Sequence, residues 1–146
     1  MRAEHRLSIA EIVPSALRAH LWWTISFFLL AGVFTYVVGG SQGFRFVLAV
    51  FGVSWWWVVP YYALAAAPIN LLIAVATWMV LSRREVRPLV AGAISGIVWV
   101  VVAMVILRAT FETNPLAGVA SLLVVGIAGA IFGASLLRAQ QQRRDR

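Results

Sequence analysis

The chain has 146 residues, of which 62% are hydrophobic and 12% charged, about half the roughly 25% charged share of an ordinary soluble domain. That balance excludes a soluble globular domain, a disordered chain and a collagen-like fibre, and it fits a protein with hydrocarbon around it. Twelve basic residues against five acidic ones give a net charge of +7, and the absence of cysteine excludes disulfides, thiolate metal sites, iron–sulfur clusters and thiol nucleophiles.

All twelve basic residues are arginines. They fall in short clusters between apolar runs, where they set topology, and no nucleic-acid-binding motif accompanies them. Arginine without lysine, together with abundant Ala, Val, Gly and Trp, suggests a GC-rich bacterial genome. The expected fold is an all-α integral membrane protein, a single membrane domain over 1–146. Residues 1–20 form a cytoplasmic amphipathic segment, 21–137 the transmembrane region and 138–146 a basic cytoplasmic tail.

The N-terminal segment opens with a capping box, Ser8-Ile9-Ala10-Glu11, in which Ser8 caps and Glu11 reaches back. Ile9, Ile12, Val13, Ala16 and Leu17 recur at the spacing of one helix face. This predicts a short amphipathic helix on the membrane surface, bent by Pro14, leading into the first span. No A-x-A cleavage site follows the apolar run, so the first span is expected to stay as a signal anchor. Both histidines, His5 and His20, precede that run, which rules out a haem held by two histidines on facing spans.

A hydrocarbon core of about 30 Å needs about 20 helical residues. Four stretches meet that length: about 21–39, 61–82, 89–107 and 116–137. Trp22, Trp23 and Trp78 fall at span ends and read as belt residues, whereas Trp99 lies deeper and reads as packing between helices.

Between the first two spans, Phe44 to Val59 is apolar on every face, with Arg45 and Ser54 its polar side chains. It is expected to lie at the interface or to re-enter the membrane, with Arg45 snorkelling to the headgroups. Extended from Phe44 to about Ala66, with Pro68 making a tight turn, it would be a fifth span and would place eight arginines on one side and four on the other. With four spans and both termini cytoplasmic, the split is ten to two, with only Arg45 and Arg108 outside. The stronger bias selects four. Trp55, Trp56 and Trp57, followed by Tyr61 and Tyr62, make an outer aromatic patch. It reads as a belt, as a partner- or lipid-binding surface, or as a wall for a quinone or carotenoid.

In the second span Ala63, Ala67, Asn70, Ala74 and Thr77 form a seam of 3.5-residue period. The third span carries Gly92, Ser95, Gly96 and Trp99 on one face, and the fourth Gly126, Gly129, Ala130 and Gly133. Each contains a G-x-x-x-G, which lets backbones approach closely. Asn70 is the most polar side chain near the middle of a span. It is expected to make an interhelical hydrogen bond, or to line a solute pathway with Thr77. No ionisable group is expected at its depth, which argues against a proton relay. Arg108 and Glu112, four apart, can pair near the headgroups.

No H-E-x-x-H, G-x-S-x-G or phosphate-binding loop occurs, so neither catalysis nor a metal or cofactor is expected. The leading expectation is a non-catalytic accessory or structural subunit of a larger bacterial inner-membrane complex. Its partners would be the lipid bilayer and other membrane subunits or copies of itself. The alternative is a homo-oligomeric small transporter, channel or lipid-handling protein, joined through Gly92–Gly96 and Gly129–Gly133.

Overall fold

The computed structural model describes residues 9–81 and 86–145, and over these it holds helices and no strand. Helix α1 runs Ile9–Leu81, α2 Pro88–Ile106, α3 Arg108–Thr113 and α4 Pro115–Arg144. Four stretches are long and apolar enough to cross a membrane: Ile12–Gly43, Trp56–Met79, Pro88–Ile106 and Pro115–Arg143. By length and composition this is a small multi-pass membrane protein.

Helix α1 is two arms joined at Gly40, whose φ of 56° and ψ of −149° are not helical. A side chain is disfavoured at such a positive φ and glycine is not, so the fold-back sits at the Gly39-Gly40 pair. Every residue from Tyr36 to Gln42 is exposed, and the hairpin tip stands clear of the bundle.

The first arm has no break at residue 20. The expected separate surface helix is instead the opening turns of the first long helix. Ile12, Ala16 and Ala19 are buried while Val13 and Leu17 are exposed, so only part of the predicted apolar face turns inward. The reason is side-chain size: Ala16 and Ala19 let α4 approach, and Ile12, Ala16 and Ala19 share one core cluster with Ala128, Phe132 and Leu136. Ser8 and the Glu11 side chain, the proposed capping box, lie outside the described residues. The C-terminal segment likewise continues as helix to Arg144, with Leu137, Ala139 and Gln140 buried.

Residues 44–59 are helical and continuous with the second span. A Cβ on Gly43 would sit 2.5 Å from the Thr35 carbonyl oxygen, so the two arms are in backbone contact just past the Gly40 turn, and the Tyr62 ring lies 6.4 Å from that of Phe27. Pro60, inside the helix, removes one of its hydrogen bonds.

Helix α4 is central, packed against α1 on one side and α2 on the other. Against α2 the fit is backbone to backbone. A Cβ on Gly92 would lie 2.8 Å from the Ala130 carbonyl oxygen, and one on Gly96 2.9 Å from that of Gly126. On the other helix, a Cβ on Gly129 would strike the Trp99 ring, and one on Gly133 the Ala91 carbonyl and Ser95. The Ser95 hydroxyl closes the seam by donating to the Gly129 carbonyl at 2.6 Å. Asn114 caps α4, its side chain accepting from the Ala117 N–H at 3.2 Å, with Pro115 at the first helical position.

Candidate functional site

Depth in the bundle can be read from α2. Arg87 and Arg108 bracket it 21 residues apart, about 31 Å of rise, which matches a hydrocarbon core of about 30 Å. Trp99 lies within about 3 Å of the midpoint. Whatever touches Trp99 is therefore near the centre of the membrane.

Three helical stretches meet there. The Trp99 indole N–H donates to Asn70 Oδ1 at 2.9 Å, and Asn70 Nδ2 lies 2.8 Å from His20 Nδ1. The polarity of this chain is forced. An indole nitrogen can only donate, so the amide must turn its oxygen to Trp99 and its NH₂ to His20. His20 Nδ1 must then accept, which places the ring proton on Nε2. Asn70 is 2% exposed, and its oxygen and its NH₂ group each have a partner.

Aromatic stacking surrounds the chain. Trp23 stacks on Trp99 with centroids 4.9 Å apart, on His20 at 5.9 Å and on Phe27 at 5.2 Å. Trp23 is 3% exposed, and its indole N–H has no partner among the described residues. Stacking and burial hold it, not a polar contact.

The sequence placed His20 ahead of the first span and allowed no ionisable group at the depth of Asn70. Both statements are corrected: His20 contacts Asn70 directly. Trp23, read as a belt residue, is core, while Trp22 beside it is exposed. The misreading came from Pro14, Ser15 and Arg18, which lower the hydropathy of the first arm's opening turns. Arg18 is exposed and lies about 8 Å along the axis from Trp23 towards the chain end, so its side chain can reach out to the headgroups. The signal that could have found His20 is the small-and-aromatic stripe Ala16, Ala19 and Trp23, which carries the buried face straight through it.

The other expected residues separate into two groups. Gly92, Gly96, Gly129 and Gly133 are buried in the chain's own α2–α4 seam, so those faces are consumed internally. Thr77 is half-buried, and the buried face of the second span is Ala66, Asn70, Ile73 and Ala74. At the hairpin end Arg45, Trp56 and Trp57 are exposed, and the Trp55 side chain lies outside the described residues. Arg108 Nε and Glu112 Oε1 are 3.4 Å apart on side chains 82% and 67% exposed, a solvated pair of little energetic weight.

Beside the polar chain, the two arms of α1 leave a lateral groove of about 430 Å³. Its walls are Val13, Leu17 and His20 from the first arm and Leu64, Pro68 and Leu71 from the second. The surface is almost entirely carbon, because His20 and Asn70 are turned into their mutual hydrogen bonds. The described residues hold no cluster of metal-ligating side chains. No protein family, curated protein or solved structure matches the chain.

Proposed function

We propose that this chain is a non-catalytic accessory or structural subunit of a larger bacterial inner-membrane complex, with both termini cytoplasmic. The observation that carries the reading is that the polar side chains bridging the spans bond one another. Trp99, Asn70 and His20 satisfy one another, and Ser95 satisfies the Gly129 carbonyl. A solute pathway needs polar groups free to replace hydration, and these are engaged in holding helices together. The chain also displays much apolar surface at the hairpin end, where Val33, Val37, Trp56 and Trp57 are exposed. Such a surface suits docking on a membrane partner.

Gentle extraction of the tagged chain from native membranes, followed by mass spectrometry, tests this. A stoichiometric membrane protein that copurifies is expected, and its loss is expected in a Val33→Arg, Val37→Arg variant. A chain that purifies alone and monodisperse from native membranes would overturn the reading.

One observation favours the alternative of a small transporter or lipid-handling protein: an ionisable side chain, His20, at the membrane midplane. Flux from proteoliposomes above that from empty vesicles, abolished by His20→Leu, would decide for it.

A further inference from the structure

We propose that the groove between the two arms of α1 is a binding site for one acyl chain of a bilayer phospholipid. The lipid would belong to the leaflet at the end of the bundle where α1 begins and α4 ends.

Depth, shape and closure point to that occupant. Val13 lies ten residues from Trp23, about 15 Å along the axis, and a leaflet's hydrocarbon is about 15 Å deep. The groove thus starts near the headgroup level of that leaflet and runs down to His20 and Asn70 at the midplane, where a chain from the same leaflet ends. Beyond the midplane it is shut: Tyr62 packs on Phe27 at 6.4 Å and on Phe28 at 6.3 Å, closing the gap between the arms. The site is therefore open to one leaflet and to the side, and blocked from the other leaflet.

Its chemistry fits a hydrocarbon chain and little else. The volume of about 430 Å³ lies within the range of about 300–1,000 Å³ usual for ligand sites. The two polar residues on its floor already bond to each other, so an occupant gains nothing from a polar group there. The walls are also preformed. The Asn70–His20 hydrogen bond ties the two arms together at the floor of the groove, and a fixed groove orders a chain at lower entropic cost than a mobile one.

The test uses the full-length protein in vesicles of phosphatidylethanolamine and phosphatidylglycerol doped with a phospholipid bearing a diazirine on its acyl chain. Exposure-matched residues on α2 supply the comparison: Leu17 and Ile97 are each 64% exposed, and Leu71 and Ile94 are 52% and 51% exposed. After irradiation, mass spectrometry of peptides should show roughly tenfold more lipid adduct at Leu17 and Leu71 than at Ile97 and Ile94, the ratio of a preference of about 1.4 kcal/mol. Ala67→Phe, which fills the groove from a half-exposed position outside the polar chain, should remove that excess while circular dichroism stays unchanged. If Ala67→Phe misfolds, Leu71→Phe serves as the second filling variant. Equal labelling at the matched residues would mean ordinary annular lipid and would overturn the proposal. So would an excess that survives both filling variants, or protein cross-links at Leu17 and Leu71 in native membranes in place of lipid adducts.

Discussion

Replacing Asn70 with leucine tests the polar chain most directly. Leucine is close to isosteric but can neither accept from Trp99 nor donate to His20, so both hydrogen bonds are lost. In membranes an interhelical side-chain hydrogen bond contributes about 0.6 kcal/mol on average and up to about 1.7. Two at the upper end give about 3 kcal/mol. The upper end applies because Asn70 is 2% exposed, and a buried polar group left unpaired costs about 1–3 kcal/mol. The expected loss is about 2–3 kcal/mol, roughly 30- to 150-fold in the folding equilibrium. Titration with sodium dodecyl sulfate in mixed micelles, read by circular dichroism, measures it. Trp99→Phe removes the indole donor and keeps an aromatic ring against Trp23. The double variant should therefore cost less than the two single losses together, by about 1 kcal/mol. A loss below about 0.5 kcal/mol for Asn70→Leu, or strict additivity with Trp99→Phe, would refute the view that this chain of hydrogen bonds ties the spans together.

Further substitutions separate the seams from the surface. Ser95→Ala removes the 2.6 Å bond to the Gly129 carbonyl and should cost about 1 kcal/mol in the same titration. Gly133→Leu drives a side chain into the Ala91 backbone and Ser95; the expected result is loss of more than about 3 kcal/mol or failure to fold, seen as loss of the monodisperse peak on size exclusion. Glu112→Ala should leave the unfolding midpoint essentially unchanged, since the Arg108–Glu112 pair is solvated. Reporter fusions after Gly43, Val86, Glu112 and Arg146 should read outside, inside, outside, inside, and an external C-terminus would refute the ten-to-two arginine assignment.

The glycine faces and Asn70 were legible in the sequence because size and polarity are properties of single residues. A run of small residues at three- and four-residue spacing admits a close neighbour whatever that neighbour is, so Gly92 to Gly96 and Gly129 to Gly133 announced a seam. They did not announce the partner. Two G-x-x-x-G faces on adjacent antiparallel spans fit each other as well as they fit a second copy, and only tertiary structure chose the first. His20 was not legible for a different reason. Its depth was inferred from mean hydropathy, which averages the exposed Arg18 with the buried Ala16 and Ala19. A long helix can present a charge to the headgroups on one side and a core face on the other at the same level. Residues 44–59 resisted assignment because apolar side chains on every face leave no periodicity to tell a span from a surface segment.

The midplane chain has a further consequence for how this bundle finds one structure. The second arm of α1 is rich in alanine along its inner face, with Ala63, Ala66, Ala67 and Ala74, and in hydrocarbon there is no hydrophobic penalty for sliding it along its neighbours. Alanine against alanine packs nearly as well one turn out of register. Asn70 does not: a slip of one turn moves it about 5.4 Å, beyond hydrogen-bond reach of both Trp99 and His20, and leaves two donors and two acceptors without partners in lipid. Because Trp99 can only donate, the amide cannot compensate by flipping. A single polar residue thus converts a smooth seam into a notched one, as a lone asparagine does at the core positions of a coiled coil. That role accounts for a buried amide at the membrane centre in a chain whose sequence holds no recognisable catalytic motif, and it accounts for the pairing of Asn70 on both sides.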